Sequence, residues 1–412
     1  MLSRLARRVY ALHERAMLRD ITPQSIFIGF LAAFVGFASS FAVVLQGLRG
    51  VGATEAEAAS GLMASAVAMG LCGIVLSLRT KQPISVAWTT PGAALLAGSA
   101  AVAGGFSDAV GAFIICGALI VLSGLWRPFG RSVEAIPGSL ANAMLAGILL
   151  VLCLAPFRAI AFDPLLGLPI LVAWIIGGRI NRFLGVPAAL LAFIAVVVVG
   201  VDFPPDWQAG IAASVVPAPV MIVPTFSVSA MFGIALPLFI VTMASQNVPG
   251  LTVLKANGYT VKTGPTLAAT GVFSLLGAPF GGLSSNLAAI TAAMLAGEEA
   301  GPDSDKRYWG TVVCGIAYCL FGLFAGVVIA FVSLAPSILI EAVAGLALIS
   351  AFGAAALNAF KNEEERPAAA VTFLAAASGM SILGVSGAFW GLIAGGLMLV
   401  LLRRTKGPDP KP

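Results

Sequence analysis

The stretch Gln82-Pro83-Ile84-Ser85-Val86-Ala87-Trp88-Thr89-Thr90-Pro91-Gly92-Ala93-Ala94-Leu95-Leu96-Ala97-Gly98 is apolar enough for a membrane but does not read as an ordinary helix. Pro83 and the β-branched residues after it favour an extended entry, and the residue before Pro91 is disfavoured in α geometry. Thr90 reads as an N-cap and Pro91 as a first-turn proline, so a helix is expected to begin partway along, near mid-membrane. A second stretch, Pro279-Phe280-Gly281-Gly282-Leu283-Ser284-Ser285-Asn286-Leu287-Ala288-Ala289-Ile290-Thr291, has the same character. Gly-Gly interrupts the chain there, and Ser284 or Ser285 can cap a new helix. Two interrupted segments at matching places in two halves of a chain point to a transporter and to its binding site.

The surroundings of these stretches fit a membrane. Of 412 residues, 59% are hydrophobic and 10% charged, with a mean hydropathy of +1.01. Soluble proteins carry roughly 25% charged residues, so a soluble globular enzyme is excluded. Continuous apolar runs replace the alternation a transmembrane β-barrel needs. The net charge of +5 is small and scattered, which argues against nucleic acid.

Fourteen segments of membrane-spanning character follow one another: 24–46, 54–78, 83–103, 107–126, 132–155, 164–178, 184–201, 226–247, 262–278, 280–297, 307–332, 336–358, 366–383 and 385–402. With the N-terminus inside, 21 of the 23 Lys and Arg fall on the cytoplasmic side, and only Arg49 and Arg158 fall outside. The positive-inside bias therefore favours an even number of spans with both termini cytoplasmic. No cleavable signal is apparent, and Ser3 to Leu18, with the lone His13, reads as an amphipathic segment on the cytoplasmic membrane surface. The expected fold is an all-α polytopic membrane protein of 14 transmembrane segments in two inverted seven-span repeats. Its half-helices, segments 3 and 10, meet near mid-membrane. Val51-Gly52-Ala53-Thr54 and Asn257-Gly258-Tyr259-Thr260, 206 residues apart, follow the first and eighth spans.

Half-helix N-termini facing each other offer unpaired N–H groups and partial positive charge, an anion site without Lys or Arg. The expected substrate-binding residues are Ser39, Ser40, Trp88, Thr89, Thr90, Gln246, Asn247, Ser284, Ser285 and Asn286. Glu341, read as the only carboxylate clearly within a span and lying a few residues inside the outer end of the twelfth, is the proton-coupling candidate, with a solvated vestibule charge as the alternative. Cys72, Cys116, Cys153, Cys314 and Cys319 read as apolar packing residues. No catalytic residue, metal site or cofactor is expected.

Ala58-Ala59-Ser60-Gly61-Leu62, the third-segment motif, Ser245-Gln246-Asn247-Val248-Pro249-Gly250 and Asn286-Leu287-Ala288-Ala289-Ile290-Thr291-Ala292-Ala293 resemble the benzoate/proton symporter (BenE) family over nearly the whole chain. The resemblance implies import of an aromatic carboxylate with a proton across a bacterial inner membrane, on the fold of nucleobase transporters and sulfate permeases. It implies a cytoplasmic segment at 1–23, core-domain spans 1–4 at 24–126 and gate-domain spans 5–7 at 127–201. An extracytoplasmic connector at 202–225, core spans 8–11 at 226–332, gate spans 12–14 at 333–402 and a cytoplasmic tail at 403–412 follow. The partners it implies are a small anionic substrate, a proton and the lipid bilayer, with homodimeric assembly left open. Two departures stand out. Where nucleobase carriers of this fold place glutamates, Gln246 and Ser285 stand here, which favours an anion over a nucleobase; and Leu283-Ser284-Ser285 replaces the histidine many family members carry before Asn-Leu-Ala-Ala. A passive anion channel and a carrier of another anion remain as alternatives.

Overall fold

Two serine hydroxyls break the first apolar run into helices α1 (Pro23–Ala38) and α2 (Phe41–Gly50): Ser39 and Ser40 both donate back to the Gly36 carbonyl, at 3.2 and 2.9 Å. Hydroxyls that take a helix carbonyl in this way bend helices. The computed structural model describes residues 21–99, 104–126, 128, 137–181, 184–216, 218–382 and 385–405. The amphipathic segment around His13 and the tail from 406 lie outside the described residues.

The next long helix, α3 (Glu55–Thr80), starts with a capping box between Thr54 and Glu57 and ends at Lys81, which takes a left-handed φ of 55°. Strand β1 (Val86–Trp88) runs into the short helix α4 (Thr90–Ala97), followed by α5 (Gly105–Leu125). Helices α6 (Gly138–Cys153), α7 (Ala155–Phe162), α8 (Pro164–Ile180) and α9 (Gly185–Gly200) lead to α10 (Trp207–Ala213), a short helix inside the expected connector. Helix α11 (Val228–Ala256) is wound as π-helix over Met231–Ala235 and again over Met243–Asn247. After α12 (Thr263–Gly277) comes strand β2 (Ser285–Leu287), leading to α13 (Ile290–Ala296). Helices α14 (Tyr308–Leu323) and α15 (Ala325–Val332) meet at 53°. Then come α16 (Ser337–Phe360), α17 (Arg366–Ala377), the small hairpin β3 (Ser381–Ile382) with β4 (Val385–Ser386), and α18 (Gly387–Thr405).

Among the described residues six helices are long and apolar enough to cross a membrane, or seven if the bent pair counts as one span. The shorter helices Pro164–Ile180, Gly185–Gly200, Thr263–Gly277, Arg366–Ala377 and Gly387–Leu402, and the two strand–helix pairs, occupy the remaining expected segments.

Packing places α14 against α3 and α1, α12 against α5, and α2 against α4; separately, α16 and α17 pack on α6, α17 on α18, and α8 on α9. The α3–α14 crossing is a contact of backbones. A Cβ on Gly70 would stand 2.5 Å from the Gly315 carbonyl oxygen, and one on Gly315 2.6 Å from that of Gly70. Small residues that let helix backbones touch are the usual device where lipid removes the hydrophobic drive for association.

Two local details bear on the sequence reading. The turns after α2 and α11 have the same form at the 206-residue offset. Ala53 N bonds Leu48 O and Tyr259 N bonds Leu254 O, both at 3.0 Å, around Gly52 and Gly258 with φ of 99° and 86°. This six-to-one bond is the Schellman ending, which needs a left-handed residue. Glu341 is also not alone as an embedded carboxylate. Asp108, 5% exposed, sits in the first turn of α5, where a helix N-terminus favours negative charge, and accepts from the Thr225 hydroxyl at 2.5 Å. It thereby pins the end of the connector to the bundle.

Gly70→Ala is expected to force α3 and α14 apart and to lower stability by about 1–3 kcal/mol. The thermal unfolding midpoint in detergent, compared with that of the exposed-site control Gly178→Ala, checks this.

Candidate functional site

Each interrupted segment reaches only partway across as a helix, so its extended half has backbone groups that need partners. They find them in each other. Strands β1 and β2 pair antiparallel with Val86 opposite Leu287, Ala87 opposite Asn286 and Trp88 opposite Ser285. The ladder is extended at both ends by Thr89 N to Ser284 O and Ala288 N to Ser85 O, each 3.0 Å. Side chains from neighbouring spans serve the remaining N–H groups. Leu287 N donates to Asn247 Oδ1 at 3.0 Å, Ser285 N to Ser274 Oγ at 2.8 Å, Leu283 N to Ser65 Oγ at 2.8 Å and Trp88 N to the Met69 sulfur at 3.1 Å.

This pairing corrects the expected caps. Thr89, not Thr90, is the N-cap of α4: its hydroxyl accepts from Gly92 N at 3.2 Å, and Thr90 is already helical. Ser284 and Ser285 cap nothing, because their backbone is committed to the ribbon; α13 starts five residues after Ser285, behind Ala289, which makes no side-chain cap bond.

Against the ribbon and the first turns of both helices lies a cavity of about 60 Å³, lined by Gly36, Ser39, Ser40, Ala87, Trp88, Thr90, Gln246, Ala288, Ala289, Ile290, Thr291 and Tyr318. Half of the expected binding residues thus come together: Ser39, Ser40, Trp88, Thr90 and Gln246. The other half, Thr89, Asn247, Ser284, Ser285 and Asn286, are at most 1% exposed and stand outside the lining as the scaffold. Thr89 accepts from the Thr242 hydroxyl at 2.9 Å, Asn247 holds β2, and Ser284 donates to the Cys116 sulfur at 3.2 Å. Asn286 donates to the Leu287 carbonyl at 3.0 Å, while its Oδ1 and the Ser285 hydroxyl find no partner among the described residues.

The sequence reading missed Gly36, Thr291 and Tyr318. Thr291 closes the Asn-Leu-Ala-Ala-Ile-Thr motif, a signal within reach; Gly36 and Tyr318 sit in ordinary apolar runs and carry none. Gly36 is glycine because its neighbours leave no room: an added Cβ would collide with the Tyr318 hydroxyl and lie 3.2 Å from the Thr291 methyl.

The polar groups of the lining are all neutral, among small apolar residues. Trp88 Nε1 donates to Ser40 Oγ at 2.8 Å, and its ring lies 5.2 Å from that of Phe37. The hydroxyls of Ser85 and Thr291 bond at 2.7 Å. The π-helical turn Met243–Asn247 sends Gln246 into the cavity and Asn247 to β2, a division of neighbouring side chains that such turns often serve at functional sites. Ser39 and Ser40, at the break between α1 and α2, do the corresponding work on the first span. Glu341, half-buried on α16, is not in the lining. The cavity is well below the roughly 300–1,000 Å³ of typical ligand sites, so a ring-sized ligand requires it to widen.

Comparison with known proteins gives a sequence profile described as "Benzoate membrane transport protein" (BenE), matched by residues 19–401. The chain is 41% identical over 389 residues to the inner membrane protein YdcO of Escherichia coli (strain K12), covering 93% of this chain and 97% of that one. It is 32% identical over 400 residues to the benzoate membrane transport protein of Acinetobacter baylyi, covering 95% and 98%. Among solved structures, the transmembrane domain of the cyanobacterial bicarbonate transporter BicA superposes with a TM-score of 0.55 at 15% identity, over 92% of this chain and 96% of that one. The murine anion transporter Slc26a9 in its inward-facing state gives 0.52 at 13% identity, over 94% and 70%. At these identities the two structures share a fold with this chain and nothing finer.

Asn247→Ala is expected to leave the Leu287 N–H unpaired at a fully buried position, lowering stability by about 1–3 kcal/mol. Its neighbour variant Gln246→Ala, in the cavity wall, is expected to unfold within a degree or two of the wild type in the same thermal scan.

Proposed function

Since this chain belongs to the BenE family of benzoate membrane transport proteins, we propose that it imports benzoate or a closely similar small aromatic carboxylate by proton symport. The observation that carries the reading is the cavity wall: hydroxyls of Ser39, Ser40, Thr90, Thr291 and Tyr318 and the Gln246 amide, with the Trp88 indole beside them and no charged side chain. Ser39 and Ser40 already donate to the Gly36 carbonyl, so the Gln246 amide and the Thr90 hydroxyl are the foremost donors for a carboxylate, which accepts hydrogen bonds at both oxygens, and an indole wall suits an aryl ring. A carboxylate side chain in this wall would repel the substrate, and Gln246 keeps the position neutral.

The membrane lies around fourteen spans in two inverted seven-span repeats, with both termini in the cytoplasm and the protein in the bacterial inner membrane. The matching turns at Gly52 and Gly258 support the repeat. Every lining residue belongs to spans 1, 3, 8, 10 or 11, the core domain, so the site travels with the core as it moves against the gate of spans 5–7 and 12–14. Widening of the cavity accompanies that motion.

Uptake of labelled benzoate into proteoliposomes with an inward-directed proton gradient tests the reading. Accumulation above the equilibrium level is expected. Uptake that only equilibrates indicates a channel, and competition by bicarbonate in place of aryl carboxylates indicates an inorganic-anion carrier. Gln246→Glu and Gly36→Ala are each expected to lower uptake at least tenfold, the first by repulsion and the second by filling the cavity. Full uptake in either variant removes the cavity as the site.

Glu341 is the proton-coupling candidate on the gate side. Glu341→Gln is expected to abolish accumulation driven by the pH gradient while leaving benzoate exchange across the membrane intact, as counterflow measures. Undiminished accumulation means the proton enters by another route.

A further inference from the structure

Half-helix α13 has seven residues, too few to be stable alone, and no side chain caps the end that reaches the cavity. What holds it is at its other end. Arg307, 8% exposed, donates from Nη1 to the carbonyl of Ala296, the last residue of α13, at 2.7 Å. Its Nε donates to the Gly301 carbonyl at 2.8 Å. The loop between folds over the guanidinium, turning at Gly301 with a φ of 132°. Tyr259 closes the other side beside Arg307, donating to Ser304 O at 3.0 Å.

The charges around Arg307 leave its field largely intact. Burial raises the Tyr259 phenol above its ordinary value, so this neighbour is neutral at physiological pH. Asp303 is paired with Lys306 at 3.3 Å, with both side chains about half exposed, and Asp305, Glu298 and Glu299 on the same loop are also exposed. All four carboxylates stand in water, where screening is strong. The hydrogen bonds from Nη1 and Nε go to carbonyls instead.

We propose that Arg307 is a positioning residue for the transported anion, acting on the cavity from the cytoplasmic end of α13 without touching the substrate. It fixes the half-helix whose first residues, Ile290 and Thr291, line the cavity, and it adds a buried positive charge behind them. Seven residues of helix span about 10 Å, which puts the guanidinium roughly 12–15 Å from the cavity. At that range, with an effective dielectric near 20, one charge changes the affinity for an anion about five- to tenfold. An arginine suits the place because its fork reaches two carbonyls at once.

The inference rests on the cavity being the carboxylate site, and the test separates the two. Binding of benzoate and of its neutral isostere benzamide is measured at equilibrium on the purified full chain in nanodiscs, for wild type, Arg307→Lys and Arg307→Gln. Arg307→Gln is expected to weaken benzoate five- to tenfold and benzamide less than twofold, and Arg307→Lys to recover most of the benzoate affinity. If benzamide binds too weakly to measure, recovery by lysine decides. If Arg307→Gln does not fold, Tyr259→Glu takes its place, setting a carboxylate against an intact Arg307 with the same expected loss. Unchanged benzoate affinity, or equal losses for both ligands, overturns the role of Arg307 alone. A wild type that binds no benzoate overturns the site reading and this inference together.

Discussion

A two-stranded ribbon held inside a helical bundle is the constraint on which the rest of the structure depends. Extended backbone at membrane depth has no water to turn to, and each unpaired amide there costs several kcal/mol. Val86–Trp88 and Ser285–Leu287 meet that demand by pairing, and Asn247, Ser274, Ser65 and Met69 complete it from neighbouring helices. The consequences run outward. Because the extended halves are spoken for, the helical halves are short, they leave opposite ends of the antiparallel ribbon, and the first turns of both contribute to the cavity wall. The buried Ser65, Ser274 and Asn247 of the neighbouring helices keep the ribbon whole.

The cavity's neutrality follows from the same arrangement. An ionised side chain at this depth would need its own partner, and the ribbon leaves no spare backbone donors to supply one. Hydroxyls and one amide recognise a ligand without that burden. Positive character comes from further away, in the buried guanidinium of Arg307 behind α13, where carbonyls at a helix end receive it. On the proposed reading, recognition by contact and attraction by field fall to different residues, and the wall can change without disturbing the charge behind it.

Much of this is legible in the sequence. Pro83 and Pro91 around a β-branched run, and Gly281-Gly282 before a run of serines, place both interruptions correctly. Local chemistry alone dictates such breaks. What escapes is the pairing between them. Residues about 200 positions apart meet only in three dimensions, so the backbone pairing of Ser285 and Asn286 with the first segment is invisible in the sequence, and the cap is displaced from Thr90 to Thr89. Gln246 and Asn247 show the limit most clearly: adjacent, alike in chemistry, and sent to opposite tasks by one π-helical turn that no propensity announces. Gly36 and Tyr318 shape the wall by steric contact, which composition cannot reveal.

The register of the ribbon also fixes how this protein can change over generations. With Ala87 facing Asn286 and Trp88 facing Ser285, inserting or deleting a single residue in either strand would turn every side chain to the opposite face and detach the amides from their helical partners. Length in these segments is therefore frozen, whereas side chains along the wall are free to be exchanged. New substrates can arise on this scaffold by replacement at Ala87, Gln246 or Thr291, and loops at the membrane surfaces can lengthen, but the two crossing segments must keep their residue count.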